Sequence, residues 1–118
     1  MRKICLTLFA AVLLVCGCGK KNETAALDDG KIYFFYYNEC PYCHDAIDYI
    51  DRQYPNLNMA MVNIHVGNGF ELFKACGKKF RLGNSIGTPL FCMGGKYLMG
   101  WSENNARKFD EYVKPYLK

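Results

Sequence analysis

The pattern of hydrophobic and polar positions divides the chain after residue 30 into seven predicted elements. Residues 32–37 form an unbroken run of β-branched and aromatic side chains. Because this run does not alternate with polar residues, it is typical of a strand buried on both faces, as in a parallel sheet. Residues 41–54 then repeat apolar positions at helical spacing, with Tyr42, Ala46, Tyr49 and Ile50 on one stripe. Pro55 ends this predicted helix.

The second half of the chain predicts another strand and helix, followed by a hairpin and a last helix. The apolar positions of residues 59–66 suit a strand, and those of residues 70–80, spaced by three and four, suit a helix. Two short apolar runs, 90–93 and 97–101, flank a Gly-Gly-Lys turn, which is typical of a β-hairpin. The last helix is predicted to start at Ser102. We also expect Phe70, in the second predicted helix, and Leu117, in the last, to lie on the apolar stripes of their helices. The order β-α-β-α-β-β-α predicts a single α/β domain.

The N-terminal 17 residues differ from the rest of the chain. A basic start precedes the apolar run 4–15, which is too short to cross a bilayer as a folded helix. The residues that end at Cys18 resemble the lipobox of bacterial lipoproteins, and this resemblance implies cleavage before Cys18 and an acyl anchor on it. We therefore expect a signal peptide at 1–17, a lipidated cysteine with a flexible tether at 18–30, and a folded domain at 31–118. An ordinary secretory signal with an incidental cysteine is the alternative.

Either kind of leader predicts a protein that works outside the cytoplasm, facing the periplasm or the cell exterior. The chain has 15 Lys and Arg residues against 11 Asp and Glu residues. Since it has no long basic run, we expect no binding of nucleic acid. Of its seven cysteines, the leader holds two and lipidation occupies Cys18. The remaining cysteines form an even set in a compartment that permits disulfides: Cys40, Cys43, Cys76 and Cys92.

The sequence Cys-Pro-Tyr-Cys at residues 40–43 follows the buried strand directly. Pro41 suits the first position of a helix, where its missing N–H has no intrahelical partner. Cys40 is then the N-cap, and Cys43 lies one turn further on. The helix N-terminus favours the thiolate of Cys40, so this pair is suited to exchange chemistry. We expect Cys40, at the exposed end, to attack and the deeper Cys43 to resolve the mixed disulfide.

The element order and the motifs resemble the thioredoxin superfamily, closest in size to glutaredoxin, from about Lys31 to the C-terminus. Residues 40–43 resemble the active-site tetrapeptide of glutaredoxins, and Thr88-Pro89 falls where the family places a cis-proline beside the active site. Residues 100–103 resemble the family's turn into its last helix. The resemblance implies a four-stranded mixed sheet flanked by helices. It also implies a substrate-binding role for residues beside the cysteines: Pro41, Tyr42, Thr88 and Pro89.

Two departures from the glutaredoxin pattern bear on the substrate. Glutaredoxins that bind glutathione usually carry Thr-Val-Pro and a later Gly-Gly turn, where this chain has Gly87-Thr88-Pro89 and Met99-Gly100. Gly-Thr-Pro instead resembles the extracytoplasmic disulfide oxidoreductases. The resemblance therefore implies a monomeric, membrane-anchored enzyme that exchanges disulfides with protein thiols and an unidentified redox partner, without a cofactor. A glutathione-dependent reductase is the alternative.

Residues 40–44 also match Cys-x-x-Cys-His, the attachment signature of c-type haem. In that interpretation His44 is an axial ligand and Met93 or Met99 supplies the second. The strand before the motif and the later hairpin favour a mixed sheet over a small helical cytochrome. A zinc site lacks a second Cys-x-x-Cys pair, so we expect no bound metal. A tethered binding module with an idle dithiol is a further alternative.

The two later cysteines allow two interpretations. Cys76 lies on the apolar stripe of a predicted helix, and Cys92 lies in a hairpin strand. A buried free cysteine acts as a small hydrophobe. The alternative, in an oxidising compartment, is a second disulfide between Cys76 and Cys92 that joins helix and sheet. Their separation in the fold does not follow from the sequence.

Overall fold

The computed structural model describes residues 26–117, and the predicted signal peptide and Cys18 lie outside that range. The strands are β1 (Ile32–Tyr36), β2 (Met59–Asn63), β3 (Leu90–Met93) and β4 (Lys96–Met99). The α-helices are α1 (Pro41–Gln53), α2 (Gly69–Lys79) and α3 (Glu103–Tyr112), with 3-10 turns at Gly83–Ser85 and Lys114–Tyr116. None of the helices within this range is long and apolar enough to cross a membrane.

The strands form one mixed sheet in the order β2-β1-β3-β4. Strand β1 runs parallel to β2 and antiparallel to β3, and β3 and β4 form the predicted hairpin. The central strand β1 has four consecutive buried residues, of which Ile32, Phe34 and Phe35 are 0% exposed. The predictions of an α/β class and of a first strand buried on both faces are therefore confirmed.

Alternate side chains of the central strands supply two separate cores, because successive residues of a strand point to opposite faces. On one face, Ile32 and Phe34 pack with residues of α1 and α3, among them Ile50 and Phe109. On the other face, Tyr33, Phe35 and Leu90 pack with α2. The sheet thus has α1 and α3 on one side and α2 on the other. Burial of a large apolar side chain in either core stabilises the fold by about 2–3 kcal/mol.

Local hydrogen bonds define where the last helix begins. The Ser102 hydroxyl accepts a hydrogen bond from the backbone N–H of Asn105 at 3.1 Å. The Asn105 side-chain amide in turn donates to the carbonyls of Met99 and Gly100. Because a serine N-cap satisfies an N–H that has no intrahelical partner, the predicted start at Ser102 is confirmed as the cap of α3.

Some details of the fold differ from the sequence-based expectation. Strand β2 ends at Asn63 and not at residue 66, because the Asn63 side-chain oxygen accepts the His65 N–H at 2.9 Å and its carbonyl accepts the Val66 N–H at 3.2 Å. These bonds turn the chain away from the sheet. Phe70 and Leu117, expected in the apolar stripes of their helices, are 47% and 43% exposed. Phe70 is the second residue of its helix, and Leu117 lies beyond α3, which ends at Tyr112 and is followed by the 3-10 turn Lys114–Tyr116.

Candidate active site

The candidate site lies where the loop after β1 enters α1. Cys40 has an extended backbone and is the N-cap of α1, with Pro41 in its first turn. The Cys40 N–H donates to the carbonyl of Tyr37 at 3.2 Å, which closes the loop between strand and helix. Cys40 and Cys43 form a disulfide, with their Cα atoms 5.2 Å apart. The predicted cap, the helix start and the one-turn spacing of the cysteines are all present.

Two donors point at the Cys40 sulfur. The backbone N–H of Cys43 lies 3.2 Å from Cys40 Sγ, and the Thr88 hydroxyl lies 3.4 Å from the same atom. Donors at this position, together with the positive end of the α1 dipole, stabilise negative charge on a sulfur. The arrangement therefore favours a Cys40 thiolate once the disulfide is reduced.

The exposure of the two cysteines differs from the expectation. Cys40 is 3% exposed and Cys43 is 1% exposed, so the predicted contrast between an exposed and a deep thiol is wrong. Both sulfurs turn inward against the core formed by Ile32 and Phe34. The exposed surface at the site belongs to the two residues between them. Pro41 is exposed, and Tyr42 is 59% exposed, although its spacing had placed it on the buried stripe.

The loop before β3 forms the opposite wall of the site. The Thr88–Pro89 peptide bond is cis, Thr88 is half-buried and Pro89 is buried. The Pro89 carbonyl accepts the Gly100 N–H at 2.8 Å, and the Met99 sulfur accepts the Gly87 N–H at 3.3 Å. These bonds fix the loop to the end of β4, and they hold the Thr88 hydroxyl in place beside Cys40.

The residues considered for other chemistry have structural contacts. His44 Nε2 lies 2.9 Å from the Asn38 carbonyl oxygen on the exposed loop before the helix. Met93 is 3% exposed in the core beside the cysteines, and Met99 accepts the Gly87 N–H. Among residues 26–117, no three His, Cys, Asp or Glu side chains gather into a group able to hold a metal ion.

The other two cysteines of the described range, Cys76 and Cys92, are buried and carry free thiols. Of the two interpretations, free buried cysteines or a second disulfide, the structure shows the free cysteines. Hydrogen bonding to Cys92 and burial raise the pKa of Cys76, whereas hydrogen bonding to Cys76 and the nearby Lys79 ammonium lower the pKa of Cys92. The pair lies in the core under α2, on the face of the sheet opposite to Cys40 and Cys43.

Sequence reasoning missed the charged residues beside this second pair. The Lys79 ammonium forms an ion pair with the Asp29 carboxylate, and a hydrogen bond to Asp29 raises the pKa of Lys79. Lys79 follows Cys76 by three residues on one helix, a spacing that places both side chains on the same face. That spacing is a signal available from the sequence, whereas the approach of Asp29 is not.

Comparison with known proteins does not assign the chain to a family. No model of a protein family matches the chain, and no curated protein is significantly similar to it. The functional argument therefore rests on the residues and their geometry.

Proposed function

We propose that the chain is a thiol–disulfide oxidoreductase of the thioredoxin superfamily that exchanges disulfides with protein substrates. The observation that carries the proposal is the Cys40–Cys43 disulfide at the start of α1, with the Cys43 N–H and the Thr88 hydroxyl both directed at Cys40 Sγ. A disulfide that spans one helical turn constrains the unfolded chain little, which is a poor fit to a purely structural role. The donors on one sulfur give the pair the asymmetry that stepwise exchange requires.

The reaction begins with the reduced pair. The Cys40 thiolate attacks one sulfur of a substrate disulfide, and the other substrate sulfur leaves as a thiolate that takes up a proton. The Cys43 thiol then loses its proton and attacks the Cys40 sulfur of the mixed disulfide. This step re-forms the Cys40–Cys43 bond and releases the second substrate thiol. Run in reverse, the same steps transfer the disulfide to a dithiol substrate, and the reduction potential of the couple decides the net direction.

The substrate docks, in this proposal, on the surface around the disulfide. Pro41 and Tyr42 supply exposed apolar surface beside the buried sulfurs, with Tyr42 59% exposed. Thr88 and Pro89 supply the opposite wall, where an extended peptide pairs with the backbone of Thr88, as in strand addition, because the Pro89 carbonyl is already bonded to the Gly100 N–H. The substrate disulfide reaches Cys40 between these two walls.

The proposal includes a location. A lipid on Cys18, outside the described residues, attaches the monomeric domain to a bacterial membrane on its extracytoplasmic side, where disulfides persist. Mass spectrometry of the mature N-terminus tests this part. We expect a diacylated or triacylated cysteine at position 18, and an unmodified terminus at another residue would contradict it.

The experiment that tests the activity is trapping of mixed disulfides with a model protein substrate. Cys43→Ser should retain attack but lose resolution, so adducts linked through Cys40 accumulate. Cys40→Ser should give neither adducts nor turnover in insulin reduction or disulfide reshuffling. Cys76→Ala is the matched control, since it changes a cysteine on the other face of the sheet, and it should keep both activities. Turnover by Cys40→Ser at the unmodified rate would overturn the proposal.

A further inference from the structure

The second cysteine pair takes no part in the proposed exchange reaction. Cys76 comes from α2 and is 0% exposed, and Cys92 comes from β3 and is 2% exposed. Both belong to the core that also holds Phe35 and Phe73. The disulfide of α1 belongs to the core on the opposite face. The sheet therefore separates the two pairs, and neither can exchange directly with the other.

The surroundings of the second pair are charged on one side. The Lys79 ammonium and the Asp29 carboxylate form an ion pair at its edge, with the Lys79 side chain 29% exposed. Burial raises the pKa of the Tyr116 phenol, and the charge of Asp29 is the second cause. Hydrogen bonding to Cys76 and the nearby Lys79 ammonium lower the pKa of Cys92, and burial acts in the opposite direction. The Lys79 charge favours a thiolate on either sulfur, and the hydrogen bond between the thiols favours it on Cys92.

We infer that Cys76 and Cys92 are a second redox site, independent of the first, which a small-molecule disulfide oxidises to an intrachain disulfide joining α2 to β3. Cys92 is the attacking thiol and Cys76 the resolving thiol. Since both residues are buried, the reaction waits for local opening of α2 and is slower than reaction at Cys40.

The oxidation balances with one molecule of the small disulfide. The Cys92 thiolate attacks one of its sulfurs, which forms a mixed disulfide and expels one small thiolate. The Cys76 thiol then gives up its proton and attacks the Cys92 sulfur, which expels the second. The two cysteines lose two electrons and two protons in total, and the small disulfide is reduced to two thiols.

The bridge would tie together both ends of residues 77–91. This segment contains the 3-10 turn after α2 and the loop that carries Thr88, the donor to Cys40, and it ends in β3. A cross-link that closes a loop of this length removes conformational freedom from the unfolded chain. We therefore expect the bridged protein to unfold at a urea concentration higher by roughly 1 M or more.

The experiment uses the full chain with Cys40→Ser and Cys43→Ser, so that the first pair cannot contribute. The reduced protein is incubated natively with oxidised glutathione, alkylated with iodoacetamide under denaturing conditions and digested with trypsin. Cleavage after Lys74, Lys78, Arg81 and Lys96 places the two cysteines on separate peptides, 75–78 and 82–96. We expect these peptides to be joined by a disulfide, and the same linked product should form in the unmodified chain.

Single variants test the order of events. Cys76→Ala should accumulate a glutathione adduct on Cys92, because the resolving thiol is gone. Cys92→Ala should leave Cys76 without an adduct over the same time. Recovery of peptides 75–78 and 82–96 unlinked from both the double variant and the unmodified chain would overturn the inference, as would an adduct on Cys76 alone. Because the first pair is absent from the double variant, this result and the result for the proposed function are separate.

Discussion

The two cysteine pairs lie on opposite faces of one sheet and are assembled in different ways. Cys40 and Cys43 come from a single turn of α1, so their separation is fixed by local backbone geometry. Cys76 and Cys92 come from a helix and a strand that meet only because α2 packs on the sheet. The first pair is already a disulfide, whereas the second consists of two buried free thiols in one core. A local pair can be recognised in a sequence, and a pair made by packing cannot.

Burial does not distinguish the two pairs. Cys40 is 3% exposed and Cys92 is 2% exposed, yet their surroundings differ. Backbone and hydroxyl donors face Cys40, with the exposed Tyr42 beside it, whereas Cys92 lies beneath α2 with a thiol and an ammonium as its polar neighbours. We propose protein substrates for the first pair and small molecules for the second, and the basis for this difference is the surface around each sulfur.

The largest expected effect comes from removing one core aromatic ring on either face. Phe34 packs against Phe91 at a centroid distance of 4.8 Å on the face of the first pair, and Phe35 packs against Phe73 at 5.7 Å on the face of the second. Each change to alanine should cost about 3–5 kcal/mol of unfolding free energy. In urea unfolding both variants lose stability. In thiol alkylation of the reduced protein, Phe35→Ala should speed reaction of Cys76 and Cys92 more than Phe34→Ala does. Equal acceleration by the two variants would contradict the separation of the two cores.

The next effect concerns the Thr88 hydroxyl. Thr88→Val removes one donor to Cys40 Sγ and keeps the shape of the side chain, so the thiolate is less stabilised. We expect alkylation of reduced Cys40 at neutral pH to slow by about 3–10-fold, with no change at Cys92. Thr88→Ser keeps the hydroxyl and serves as the control. If Thr88→Val and Thr88→Ser react at the same rate, the hydroxyl has no part in activating Cys40.

A smaller effect is expected from the cation beside the second pair. Lys79→Gln removes the ammonium that lowers the pKa of Cys92, so formation of the Cys76–Cys92 bridge with oxidised glutathione should slow by about threefold. The effect is modest because solvent partly screens Lys79. Lys108→Gln, at an exposed position on α3, is the control and should leave the rate unchanged.

The smallest effect appears at high pH on the face of the first pair. The Tyr54 hydroxyl donates to Asp110 at 2.7 Å, and burial, with this bond next in effect, raises the pKa of Tyr54. An unfolded tyrosine ionises near pH ~10, where the folded chain still holds its proton. Above this pH the unfolded chain loses the Tyr54 proton while the folded chain keeps it, which lowers the free energy of the unfolded state. The contribution of Tyr54 to stability is therefore complete below pH ~10 and declines above it. Tyr54→Phe should weaken this decline in urea titrations from pH 9 to 11, whereas Tyr97→Phe, at a 38% exposed position, should not.

The sequence by itself determined the elements and the first cysteine pair. The unbroken run 32–37 predicted β1, and Pro41 predicted the start of α1 with Cys40 as its cap. These features depend on φ preferences, hydrogen bonds within one turn and the burial pattern of a single strand, all of which act over a few residues. The predicted mixed α/β class followed from the order of these local signals.

The tertiary structure alone decided which side chains meet and which stay exposed. Thr88 meets Cys40 because the loop before β3 lies beside the end of the neighbouring strand β1, and Cys76 and Cys92 share a core once α2 covers the opposite face. Helical periodicity assigned Tyr42 and Phe70 to buried stripes, but both are exposed residues in the first turn of their helices. Periodicity records which face of an element is apolar. Coverage of that face depends on where the neighbouring elements end, and this is set by long-range packing of the two layers against the central sheet.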